Sequence, residues 1–91
     1  MPGVARDGDR AKCGAVISAS DTVVTADGKK VVRVGDEVFH LEAPFFKGAV
    51  LEGSSKVNAD GKAVARIGDR VSCPLHFFSE VGEGSSKVFA D

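Results

Sequence analysis

The feature that most constrains this chain is a short turn that occurs three times, followed each time at the same distance by a residue able to bind metal. Arg6-Asp7-Gly8-Asp9 leads to Cys13, Arg33-Val34-Gly35-Asp36 leads to His40, and Arg66-Ile67-Gly68-Asp69 leads to Cys73. The ligand stands four residues after the turn Asp in every copy. His76 follows Cys73 after a two-residue spacer, and these four are all the cysteines (2) and histidines (2) in the chain. Two thiols and two imidazoles make one tetrahedral zinc site, and Cys73-x-x-His76 lets two side chains of a tight turn, stiffened by Pro74, reach one ion.

Other readings of these residues compete. Unpaired cysteines are often just small buried side chains, a disulfide could staple Cys13 to Cys73, and a histidine is commonly a surface or satisfied core residue. None of these explains the shared register, and the disulfide leaves both histidines at ligand positions without a role. With all four positions filled by protein the zinc is structural, because a catalytic zinc keeps an open position. A small zinc hydrolase would have to release one ligand and recruit Glu37, Glu42 or Glu80 as base, and no glutamate stands at the spacing that zinc peptidases use. Two thiolates favour zinc over oxygen-preferring cations.

Ninety-one residues are read as one domain, 1–91, of a size that buries a modest fraction of its surface and gains from a metal staple. Val-rich composition with Gly 11 and no Trp or Tyr favours a glycine-punctuated, mostly β structure over helices, and the fold class expected of the chain is all-β. A net charge of -1, with both signs spread along the chain, gives no basic footprint for nucleic acid or an anionic membrane. No apolar run is long enough to span a bilayer, and the first residues lack a signal-peptide core. Assembly in the cytoplasm is the expectation, where thiols stay reduced.

A longer repeat underlies the turns. Ser20-Asp21-Thr22-Val23-Val24-Thr25-Ala26-Asp27-Gly28-Lys29 aligns with Gly53-Ser54-Ser55-Lys56-Val57-Asn58-Ala59-Asp60-Gly61-Lys62, and Gly84-Ser85-Ser86-Lys87-Val88-Phe89-Ala90-Asp91 begins a third copy. Asp-Gly between β-branched runs predicts a hairpin, since Gly accepts the positive φ of a type I′ turn. Returning strands are expected over 30–34 and 63–67. The Arg-x-Gly-Asp turns that follow read as architecture, with Gly8, Gly35 and Gly68 left-handed and the next Asp accepting backbone N–H bonds. Variable segments then carry Phe45-Phe46 and Phe77-Phe78, which either fill the core or offer apolar surface to a partner.

The whole chain resembles the PAAR-repeat proteins, the cone-shaped tips of bacterial type VI secretion and phage-like spikes. The resemblance rests on Met1 to Asp9, on Gly53-Ser54-Ser55-Lys56-Val57, and on Asn58 to Asp69 with Cys73-Pro74. This chain has Cys13 where such proteins often have His, Ala63-Val64-Ala65-Arg66 at the signature, and Ser20 for the usual Gly. The resemblance implies a small cone of three β-hairpin repeats around a pseudo-threefold axis, pinned by zinc near the vertex through Cys13, His40, Cys73 and His76, with no appended effector domain. It also implies a non-enzymatic tip that caps a trimeric β-helical spike, one copy per trimer, helps it pierce envelopes, recruits effectors, and leaves the cell with the spike. Phe45, Phe46, Phe77 and Phe78 are the candidates for partner contact.

Overall fold

Three short segments, residues 3–7, 30–34 and 63–67, meet at the middle of the molecule and hydrogen-bond one another in a closed ring. The computed structural model describes residues 2–19, 22–73 and 77–90. Ala5 N–H donates to the Ala65 carbonyl, Ala65 N–H to Val32 and Val32 N–H to Ala5, each at 2.9 Å. A second ring lies two residues further along: Asp7 N–H to Lys30 at 2.8 Å, Val34 to Ala63 at 2.9 Å and Ile67 to Gly3 at 2.9 Å. Each segment therefore pairs antiparallel with one neighbour along its first half and with the other along its second, through bridges Val4 to Arg66, Arg6 to Val31 and Arg33 to Val64.

This switching of partners corrects the expectation of one continuous returning strand over each of 30–34 and 63–67. The strands are shorter: β1 (Val16–Ser18), β2 (Thr25–Ala26), β3 (Lys29–Lys30), β4 (Glu37–His40), β5 (Ala43–Ala49), β6 (Asn58–Ala59), β7 (Lys62–Ala63), β8 (Arg70–Cys73) and β9 (Phe77–Glu80). The predicted Asp-Gly hairpins are β2–β3 and β6–β7, and both turn residues take positive φ, 55° and 79° at Asp27 and Gly28, 52° and 82° at Asp60 and Gly61. Such values are what a type I′ turn needs. Among the described residues there is no helix, and the chain is all-β.

The Arg-x-Gly-Asp turns are built alike. Gly8, Gly35 and Gly68 sit at φ of 89°, 94° and 93°. In each copy the Asp carboxylate accepts the N–H of the Arg three residues earlier at 2.8 Å, so Asp9, Asp36 and Asp69 close their own turns. The same three turns dock identically, with Gly8, Gly35 and Gly68 N–H donating at 2.9 Å to Ile17, Val50 and Val81.

Beyond the turns, three two-stranded arms close on one another. β1 pairs with β4, Val50 bridges Val71, and Val81 bridges Ala11, all antiparallel, so each returning strand finds the next outgoing strand and the last finds the first. Closure leaves no free edge in this circuit. Inside it lie Ala5, Val32 and Ala65, then Ala11, Val38 and Val71, then Ile17, Val50 and Val81, all buried in one cluster. Because side chains alternate along an extended segment, Val4, Val31 and Val64 turn to the other face. There they form a second cluster with Ala26, Ala59 and Ala90 under the Asp-Gly end. The body measures 30 × 22 × 22 Å, with equal cross dimensions as a threefold arrangement requires.

Candidate metal centre

The four-residue step that marks the ligands in the sequence is strand alternation made visible. From Asp36, Val38 and His40 the buried residues fall on every second position, as they do from Asp69 through Val71 to Cys73, so turn, core and ligand share one inward face. Asp9, Ala11 and Cys13 repeat the pattern, with Cys13 half-buried. The ligands are thus the next set of three stacked on the core sets below them.

Three of the four residues read as ligands meet in space. The Cys13 and Cys73 sulfurs are 3.0 Å apart, His40 Nε2 is 3.1 Å from the Cys73 sulfur, and the donor atoms all lie within 4.8 Å of one another. Neither cysteine is in a disulfide. His76 lies outside the described residues, as do Pro74 and Leu75 between it and Cys73, and Ser20, whose departure from Gly was noted above. Two sulfurs and an imidazole nitrogen from three remote segments fit a zinc-like ion by donor chemistry.

Neighbouring groups set how the donors are held. Glu42, in the turn between β4 and β5, brings a carboxylate oxygen within 3.7 Å of His40 Nδ1. That separation is longer than a hydrogen bond, so the carboxylate lies beside Nδ1 while Nε2 faces the Cys73 sulfur. The N–H of Cys13 donates to the Ser79 hydroxyl at 3.1 Å, which ties the first repeat to β9 of the third. Burial pushes the Cys13 thiol up, but its hydrogen bonds with Cys73, the Ala15 backbone and Ser79 outweigh it, and the thiol is held below its ordinary value. A lowered thiol is a readier metal ligand, since the thiolate is the form that binds.

The sequence singled out Glu42 only as an alternative catalytic base, while Ser79 was not picked out at all. Glu42 had a local signal, standing two residues after a ligand in a turn. Ser79 had none, because only the β8–β9 register, which pairs it with Val71, brings it there.

The aromatic pairs stand on the same arms as the ligands. Phe45, Phe46, Phe77 and Phe78 are 93%, 65%, 86% and 64% exposed, so the core-filling reading is excluded for all four. Residues 44–46 fall in a register break, since Phe39 pairs with Lys47 and His40 already with Ala43. Phe77 pairs with buried Cys73 yet takes φ 62°, a left-handed conformation uncommon for an aromatic residue, and its ring is out in solvent. Arg70 lies over the Phe78 ring at 5.9 Å.

Fold and centre together define a class: a single-chain β body of three pseudo-equivalent repeats, with a thiol–imidazole cluster capable of holding a metal ion joining all three. The family model described as PAAR motif matches residues 44–91, more than half of the chain, and the chain belongs to that family. No curated protein matches it significantly.

Proposed function

We propose that this chain is the structural, zinc-pinned tip of a contractile injection machine of type VI secretion or phage-like type, one copy capping a trimeric β-helical spike. The observation that carries this reading is the closed ring Ala5–Ala65–Val32. One chain presents three similar faces around an axis, so a homotrimer can meet it with three near-equivalent contacts and no second copy is needed. Family membership supports the same role.

The metal serves this role mechanically. Three arms come from distant parts of the chain, and an ion held by Cys13, His40 and Cys73, with His76 as the fourth ligand, ties their ends so that none opens alone under load. Structural zinc is worth about 10 to 16 kcal/mol in small peptides. A saturated ligand set has no open position for substrate, and the role is structural rather than enzymatic. Phe45, Phe46, Phe77 and Phe78 are assigned to partner contact, since exposed aromatic rings are the side chains that interfaces most often use as anchors. Such contact takes place on the metal-bearing arms. The tip assembles in the cytoplasm and departs with the spike, helping it pierce an envelope and carry effectors.

Native mass spectrometry of the chain mixed with a purified β-helical spike trimer tests the reading. One copy per three spike subunits is expected, and a stable three-to-three complex, or no complex, overturns it.

A further inference from the structure

Cys13 and Cys73 come from the first and third repeats, 60 residues apart in sequence, yet their sulfurs stand 3.0 Å from each other with no disulfide between them. Each is held by its own element. Cys13 sits in a tight turn closed by Ala11 N–H to Ala15 and Gly14 N–H to Ala11, both at 2.9 Å, and its own N–H is fixed on Ser79. Cys73 ends β8, paired with Phe77. Their accessibilities differ: Cys13 is half-buried, whereas Cys73 is 2% exposed.

We propose that Cys13 and Cys73 are a dithiol site that closes to an intramolecular disulfide by exchange with a small disulfide whenever no metal is held. Occupation by metal, which rests on the function proposed above, blocks the same step by engaging both sulfurs. The more accessible thiol reacts first. Cys13 gives its proton to solvent and its sulfur attacks the small disulfide, forming a mixed disulfide and expelling one thiolate. The Cys73 sulfur, already alongside, loses its proton and attacks Cys13 Sγ. That breaks the mixed bond and expels the second thiolate, and the two protons end on the two released thiols. The protein loses two electrons and the small disulfide gains them. The bond ties the first repeat to the third but leaves out the second, which His40 joins to the cluster. An oxidised tip is therefore held on two arms, where a metal holds all three.

The test uses the full chain with oxidised glutathione at neutral pH, metal-free after chelation, with free thiols, intact mass and a peptide map read over time. The metal-free chain is expected to lose both thiols and two hydrogen masses, and to yield a peptide joining Cys13 to Cys73. Closure should be at least about tenfold slower in denaturant, where the 60-residue separation is no longer bridged by the fold. A lasting glutathione adduct on Cys13, disulfide-linked dimers, or equal rates with and without denaturant overturns the proposal. Cys13→Ser should leave Cys73 unmodified in the folded chain, and rapid modification of Cys73 there contradicts the order of attack. Zinc titration of the reduced chain is read separately. A chain that closes the bond but takes no zinc refutes the metal centre alone, and one that takes zinc but never closes the bond refutes the dithiol site alone.

Discussion

Ala5 N–H donates to the carbonyl of Ala65 at 2.9 Å, and this contact between the first and third repeats closes the ring that Val32 completes. Because the partners are 60 residues apart, the fold cannot be assembled from independent hairpins. Its two-residue ladders gain stability only once all three repeats are in place.

The turn aspartates are the local devices on which that closure depends. Asp69 accepts the Arg66 N–H at 2.8 Å and its guanidinium at 3.0 and 2.9 Å. Asp69→Ala should cost about 1 to 3 kcal/mol in chemical denaturation, by leaving polar groups without an acceptor. Asp69→Asn, which keeps one carbonyl oxygen, should recover part of it. Equal stability of the alanine variant and the parent would show the turn to be held by other means.

Gly84 is needed for space rather than for φ. A Cβ there would stand 2.9 Å from Ile67 Cγ1, 3.0 Å from the Val4 carbonyl oxygen and 3.1 Å from that of Gly3. Gly53, its counterpart, would meet Val34 Cγ2 and the Val64 carbonyl oxygen, both at 2.9 Å. Gly84→Ala should therefore destabilise by roughly 1 to 3 kcal/mol, as overpacking does. A thermal melt within error of the parent would contradict this.

Asp27 gives the acid limb of stability a specific carrier. The Ser85 hydroxyl donates to its carboxylate at 2.6 Å and Arg6 pairs with it at 3.0 Å. The hydrogen bond from Ser85 first, and Arg6 after it, hold the carboxyl below its ordinary value. A carboxyl lowered by folding contributes stability that is complete above its unfolded pKa and is lost as pH falls through the lower folded value. Denaturation midpoints measured from about pH 5 down to pH 2 should fall less steeply in Asp27→Asn than in the parent. Parallel acid limbs would remove Asp27 from the account.

Much of this was legible in the sequence for physical reasons. Asp-Gly and Arg-x-Gly-Asp are local turn chemistry, so their residues announce the positive φ values seen at Asp27, Gly28 and Gly35. The common register of Cys13, His40 and Cys73 was readable because strand alternation repeats in each arm. What could not be read was pairing between repeats. Arg6 reaches Asp27, and Cys13 reaches Ser79, only through the closed ring. Alignment also misled by one residue at Thr22. The repeat places it opposite Ser55, yet its hydroxyl bonds Asp60 much as Ser85 bonds Asp27. Asp21, aligned with Ser54, lies outside the described residues. Exposure of the four phenylalanines was equally hidden, since it depends on the register break in β5 and on the backbone of Phe77.

The most direct test of the central claim is the metal itself: elemental analysis of the purified chain combined with X-ray absorption at the zinc edge. One zinc per chain is expected, with sulfur at about 2.3 Å and nitrogen at about 2.0 to 2.1 Å, and with two sulfurs in the shell. Cys73→Ser should remove one sulfur from the shell and lower the melting temperature, because metal affinity is folding energy here. A metal-replete preparation without stoichiometric zinc, or with zinc bound through oxygen and no sulfur, would contradict the claim.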